Sequence, residues 1–218
     1  MSAHLARKSE SHFDGLVTEG DEPDVLGSVA DPSVDLAIWR RTLPLILSEW
    51  LDTRLPHHLP NGRILVGLND IEAGVASLVR GRTKPARLLA ADITGLARMF
   101  ATIARIDQVD IRLDMIRRDA CWRFHRDAVP LRLLVTYRGP GTELPPAEEA
   151  DRALVEQRDY QGPLRRLPRA AAALFKGDPA DSGQGVLHRS PPIAGTGITR
   201  LLLCLNPASG ASPKRWKP

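Results

Sequence analysis

Two histidines and an aspartate in the second half of the chain are spaced to hold one divalent metal ion. In FHRD, His125 and Asp127 stand two residues apart. On a β-strand, side chains two apart point to the same face. His188, in GVLHRSPP, lies 61 positions beyond Asp127, enough chain for several strands to return to the same place. Two imidazoles and a carboxylate on one side of an ion leave its other faces open. Arg200 follows His188 by 12 positions, at the start of TRLLLCLN. If the turn PPIAGTG sends the next strand back beside His188, the Arg200 guanidinium faces the ion and suits a two-pronged grip on a dicarboxylate. Arg132 and Tyr137, on the strand after His125-x-Asp127, compete for that role.

Other readings of the same residues stay open. Asp127 beside His125 can simply fix a tautomer. Cys121 sits four residues before His125, on the same alternation. It is either a small buried hydrophobe or a fourth ligand, and a thiolate in the set would favour Zn²⁺ over Fe(II). Cys204 shares the parity of Arg200 and Leu202 and reads as core. His57 and His58, flanked by prolines, read as a solvated turn. Gly139 to Glu143 reads as a turn and lacks the context of a phosphate loop, although Glu143 can reach the rim of the site. Arg189 is expected to point outward and pair with a carboxylate of a lid.

The elements that must position these residues fall into two halves. Residues 1–33 are polar and are expected to be disordered or loosely packed, apart from a short strand at Val25–Leu26. From Val34, Leu36, Trp39, Leu43, Ile46, Leu47, Trp50 and Leu51 recur at steps of three and four, which predicts a helix. Ile71 to Val79 and RLLAADITGLARMFATIARI predict two more, so residues 34–106 read as mainly helical. VDIRLDMI then alternates, with Val109, Ile111, Leu113 and Met115 on one face, and predicts a half-buried strand. Short β-compatible runs follow: CWRFHRD, LRLLVTYRGPGTE, AAALFKGD, GVLHRS and TRLLLCLN. Residues 107–206 therefore read as a β-barrel, with Pro145–Pro168 as a loop or lid, and residues 207–218 as a polar tail. A single domain over 34–206 results.

Composition fits a globular chain of 218 residues, 43% apolar and 26% charged. The net charge of +4 comes without any long basic run, which argues against nucleic-acid binding. Two cysteines cannot build a disulfide framework, the first residues lack an apolar signal region, and no run reaches the roughly 20 apolar residues of a membrane span. The expectation is a cytoplasmic protein acting on a small-molecule or protein substrate, without membrane attachment.

His125-x-Asp127, a long gap, His188, then Arg200 resembles the Fe(II)/2-oxoglutarate dioxygenases over about Cys121 to Asn206. That resemblance implies an α+β fold in which helices form an N-terminal layer against a double-stranded β-helix, a cupin-like or jelly-roll-like barrel. It implies Fe(II) held by His125, Asp127 and His188, 2-oxoglutarate gripped by Arg200 (or by Tyr137 or Arg132), and hydroxylation of a substrate. More broadly, from about Val25 to Asn206, CWRFHRDAVPLRLLVTYRGPGTE with GVLHRSPP and RLLLCLN is similar to an uncharacterised bacterial family, domain of unknown function 1826. The alternative is a non-catalytic zinc-binding protein of cupin-like fold, linked to metal homeostasis and holding Zn²⁺.

Overall fold

The computed structural model describes residues 16–180 and 185–217. Its strands are β1 (Leu16–Gly20), β2 (Val34–Trp39), β3 (Gly62–Gly67), β4 (Gln108–Ile116), β5 (Leu131–Arg138), β6 (Glu143–Leu144), β7 (Arg165–Arg166), β8 (Ala172–Lys176) and β9 (Arg200–Pro207). Its α-helices are α1 (Leu45–Thr53), α2 (Ile71–Val79), α3 (Lys84–Ala104) and α4 (Ala150–Glu156). Seven strands form one sheet in the order β1-β2-β8-β5-β9-β4-β3, antiparallel except where β1 runs parallel to β2. A second, much smaller sheet pairs β6 with β7. Single bridges extend it from Glu143 to Arg189 and from His188 to His125. The two sheets make the double-stranded β-helix, and α1, α2 and α3 cover the outer face of the large one.

The period-2 rule sorts each strand of the large sheet between two cores. Val109, Ile111 and Leu113 of β4, Leu133, Val135 and Tyr137 of β5, and Leu201, Leu203 and Leu205 of β9 join the cluster under the helices. Leu134, Leu202 and Cys204 face the barrel interior instead. With both faces covered, β9 is apolar nearly throughout, which is why TRLLLCLN reads as a continuous run. The longest helix, α3, starts at Thr83, whose hydroxyl accepts from the Ala86 amide at 3.4 Å, and stops at Arg105 in the left-handed region. Its buried stripe of Leu89, Ile93, Leu96, Ala97 and Phe100 seats it on the sheet. Truncating the fully buried Phe100 to alanine costs about 3–5 kcal/mol.

Several expectations need correction. The span from Val34 to Leu51 is not one helix: it is β2, a connecting turn and α1. Pro44 stands inside the expected helix and would remove a hydrogen bond and clash with the preceding turn, while Val34, Leu36 and Ile38 also satisfy a strand period. Residues 16–33 are packed rather than loose. Val17, Leu26 and Val29 are buried, and Val25–Leu26 belongs to a 3₁₀ helix, Pro23–Ala30, not to a strand. The expectation for residues 1–15 lies outside the described residues. The stretch 145–168 carries α4 and β7. The end of the chain folds back on β3: the Trp216 amide donates to the Leu65 carbonyl at 2.8 Å and the Ser212 hydroxyl to Asp110 at 2.6 Å. Among the described residues, no helix is long and apolar enough to cross a membrane.

Candidate metal centre

His125 and His188 are brought together by one antiparallel pair. The His125 amide donates to the His188 carbonyl at 3.0 Å, and the His188 amide returns the bond at 3.1 Å. The rings lie 4.6 Å apart, centroid to centroid. In each ring Nδ1 meets a backbone carbonyl two residues back, Arg123 at 2.8 Å and Val186 at 2.9 Å. A carbonyl only accepts, so Nδ1 carries a hydrogen, and in the neutral ring Nε2 is the nitrogen with the bare lone pair. Both Nε2 atoms face the Asp127 carboxylate, His125 at 3.7 Å from Oδ1 and His188 at 3.6 Å from Oδ2. One ligand atom from each of the three residues lies within 4.8 Å of the others.

Electrostatics prepare the cluster for a cation. His188 is 3% exposed, and burial pulls its imidazole down to about 4, against the upward pull of Asp127 and with a smaller downward push from His125. It is therefore neutral near pH 7, the state a metal ligand requires. Asp127 is also 3% exposed. Its Oδ1 accepts from Arg132 Nη1, while its buried Oδ2 has no hydrogen-bond donor among the described residues. A buried carboxylate oxygen left without a partner is costly. A divalent ion between Oδ2 and the two bare nitrogens relieves that cost, so the donor set fits the metal. Behind Asp127 the backbone packs closely. A Cβ on Gly177 would lie 2.5 Å from the Asp127 carbonyl oxygen and 1.9 Å from that of Val129, so only glycine fits there.

Arg200 closes the other end of the same interior. It is fully buried. Its Nε donates to the Pro140 carbonyl at 2.8 Å, Nη1 to Ser190 Oγ at 2.6 Å, and Nη2 to Thr136 Oγ1 at 3.1 Å and Thr142 Oγ1 at 3.0 Å. All four acceptors are neutral, and no carboxylate pairs with it among the described residues. Burial lowers its guanidinium to about 10, so it stays charged. Ser190, Thr136 and Thr142 do not stand out in the sequence. Ser190 sits two residues after His188 and Thr136 four after Arg132, so alternation is the signal that marks two of them.

The other candidates fall elsewhere. Arg132 lines the cavity, but it is committed to Asp127 and, through Nε, to Asn206 Oδ1 at 2.7 Å. Tyr137 projects from the opposite face of β5. There its hydroxyl donates to Asp92 of α3 at 2.5 Å, beside the Arg41–Asp92 ion pair, and burial raises the phenol well above its usual range. Cys121 lines the cavity mouth but is exposed and lies outside the ligand cluster. The expected strand over CWRFHRD is reduced to the bridge at His125, and Cys121 takes a positive φ of 50°, so strand alternation does not reach it. Arg189 is buried rather than outward, and its Nε donates to Glu143 Oε2 at 2.9 Å. A cavity of about 40 Å³ is lined by His125 and His188, by Thr142 and Ser190, which hold Arg200 from behind it, and by Arg112 and Asp114 of β4; Arg200 itself does not reach its wall.

Among solved structures, the rice dioxygenase for auxin oxidation aligns with a TM-score of 0.50 at 11% identity, over 87% of this chain and 81% of its own. At that identity the likeness speaks for a shared fold only. A Pseudomonas putida prolyl-4-hydroxylase (TM-score 0.41, 14% identity, 91% of this chain and 100% of its own) and a bsmA homologue from Methylobium petroleophilum (0.46, 14%, 90% and 100%) align with lower scores. No curated protein matches the chain. A family model does match, over residues 20–206, from the end of β1 through His125 and His188 to β9, and the chain belongs to that family, described as Protein of unknown function (DUF1826).

Proposed function

We propose that the protein is a mononuclear non-haem Fe(II)/2-oxoglutarate-dependent oxygenase that hydroxylates a small-molecule or protein substrate. The observation that carries this reading is the pairing, within one barrel, of an orphaned Asp127 oxygen between two bare imidazole nitrogens with a buried guanidinium that has only neutral partners. His125, Asp127 and His188 would hold the iron on one side. With 2-oxoglutarate and dioxygen, the bound iron supplies oxidising chemistry in which one oxygen atom enters a substrate C–H bond and the other ends in succinate, with release of carbon dioxide. Arg132 holds one Asp127 oxygen and leaves the other toward the ion. Arg200 offers a fixed positive charge to the far carboxylate of the co-substrate, and Ser190, Thr136 and Thr142 orient its fork. Asp127, His188 and Arg200 are themselves buried, which strengthens both interactions. The two free cysteines, Cys121 and Cys204, are consistent with a reducing cytoplasm as the place of work.

A second reading, a non-catalytic zinc-binding protein, is favoured by the size of the cavity. At about 40 Å³ it has room for an ion and about one water, and a five-carbon dicarboxylate enters only if side chains at the mouth move. Metal analysis of protein purified without added metal, followed by anaerobic titration of 2-oxoglutarate into the Fe(II)-loaded protein, separates the two. Binding that develops a metal-to-ligand absorption band supports the oxygenase. Tight zinc at one equivalent, with no 2-oxoglutarate binding to the iron form, overturns it.

A further inference from the structure

The inner face of β4 carries charges that neither the metal site nor the Arg200 collar uses. Arg112 and Asp114 both line the cavity, and their side chains are 34% and 30% exposed. Arg112 Nε lies 2.8 Å from Asp114 Oδ2, yet this nitrogen makes no properly angled hydrogen bond. Neither terminal nitrogen of Arg112 has a hydrogen-bond partner among the described residues. The pair is a charge contact with its hydrogen-bonding capacity largely unspent. Burial lifts the Asp114 carboxyl, against the pull of Arg112, Arg63 and Arg200, so an added cation at Asp114 would be favourable.

The sheet register locates this pair. Across β4 and β9, Arg112 faces Cys204 and Asp114 faces Leu202; across β9 and β5, these face Leu134 and Thr136. The charges therefore stand two strand spacings, about 10 Å, from β5, the strand whose Arg132 holds Asp127. Leu202 and Leu134 line the cavity along the way, and Ile116 lines it beside Asp114 on β4. A ligand that spans this wall needs adjacent opposite charges at one end and an apolar arm at the other. A diamine or a dicarboxylate would leave one member of the pair facing a like charge.

We propose that, once the side chains at the cavity mouth move aside as 2-oxoglutarate also requires, Arg112 and Asp114 recognise the charged end of a free aliphatic α-amino acid, its carboxylate on Arg112 and its ammonium on Asp114, with the side chain laid along Ile116, Leu134 and Leu202 toward His125 and His188. The two charges of an α-amino acid share one carbon, which matches two counter-charges in contact. This assignment of substrate class rests on the oxygenase reading, and makes the amino-acid side chain the part that is hydroxylated.

The test uses the full chain loaded anaerobically with Fe(II) and 2-oxoglutarate, with 2-oxoglutarate binding confirmed first. The twenty standard L-amino acids are titrated by calorimetry and scored for stimulated 2-oxoglutarate consumption. For those that bind, the 2-hydroxy acid (no ammonium) and the carboxamide (no carboxylate) are compared with the parent. At least one aliphatic amino acid is expected to bind, and each analogue to bind roughly ten- to hundredfold more weakly, the loss of one charge-assisted contact. Asp114→Asn should abolish the penalty for the hydroxy acid and keep that for the amide, and Arg112→Gln should do the reverse. A merely structural role would weaken every ligand alike. Equal affinity for parent and analogues, or no aliphatic amino acid bound by protein that does bind 2-oxoglutarate, overturns the proposal; if a variant does not fold, the wild-type analogue series still decides. Failure of 2-oxoglutarate itself to bind would instead remove the oxygenase reading.

Discussion

His125 and His188 exchange both of their backbone hydrogen bonds, at 3.0 and 3.1 Å, across a single antiparallel bridge, although 62 residues of chain lie between them. That one pair sets the two imidazoles side by side, and the carbonyls of Arg123 and Val186 turn both Nε2 atoms the same way. The geometry of the two imidazoles is thus a property of backbone pairing.

The orphaned Asp127 oxygen leads to a stability prediction. A divalent ion at a hundred times its dissociation constant should stabilise the protein by about 2.7 kcal/mol. For a chain of this size that is a rise in melting temperature of roughly 5–10 °C. Differential scanning calorimetry with and without Fe(II), Mn²⁺ or Zn²⁺ measures it. Asp127→Asn and His188→Ala should lose the increment, and a full increment in either would remove that residue from the ligand set.

Arg200 should tolerate lysine better than alanine. Alanine leaves Pro140, Ser190, Thr136 and Thr142 without their donor and opens a void, so a loss of about 3–5 kcal/mol in denaturant unfolding is expected. Arg200→Lys keeps a charge but not the planar fork. It should fold, retain metal and bind 2-oxoglutarate roughly ten- to hundredfold more weakly. Wild-type affinity in the lysine variant would mean that the carboxylate is gripped elsewhere.

Tyr137→Phe separates the helix-facing side of β5 from the barrel side. Removing the hydroxyl strips Asp92 of one buried donor, at a cost of about 1–3 kcal/mol. Metal and 2-oxoglutarate affinity should not change. A selective loss of 2-oxoglutarate binding in a protein of normal stability would restore Tyr137 as an anchor.

Cys121→Ser should leave zinc affinity within about twofold of wild type, since its sulfur lies outside the ligand cluster. The thiol is exposed at the cavity mouth, so it should react with a thiol reagent in the folded protein, whereas buried Cys204 should not. Competition titration against a zinc chelator, together with mass spectrometry of the labelled chain, checks both halves.

Local chemistry in the sequence is enough to place α2, α3, β4 and the apolar strands of the barrel, because each has a period or cap that survives in the fold. It also names the three residues that the fold clusters as possible metal ligands, because His-x-Asp on one face and a distal histidine can meet wherever the chain returns. The span 34–51 misleads because its apolar residues fit two periods at once, and the pairing of β2 with β1 and β8 decides between them. Cys121 misleads because strand alternation stops at His125, and only the left-handed turn before it shows that. The neutral collar around Arg200, the commitment of Arg132 to Asp127, the departure of Tyr137 to the helical layer and the charged pair on β4 all belong to the tertiary structure. Each depends on which residues from distant strands share one face of the sheet, and that is set by register across β4, β9, β5 and β8, where a shift of one residue would turn every side chain to the other side.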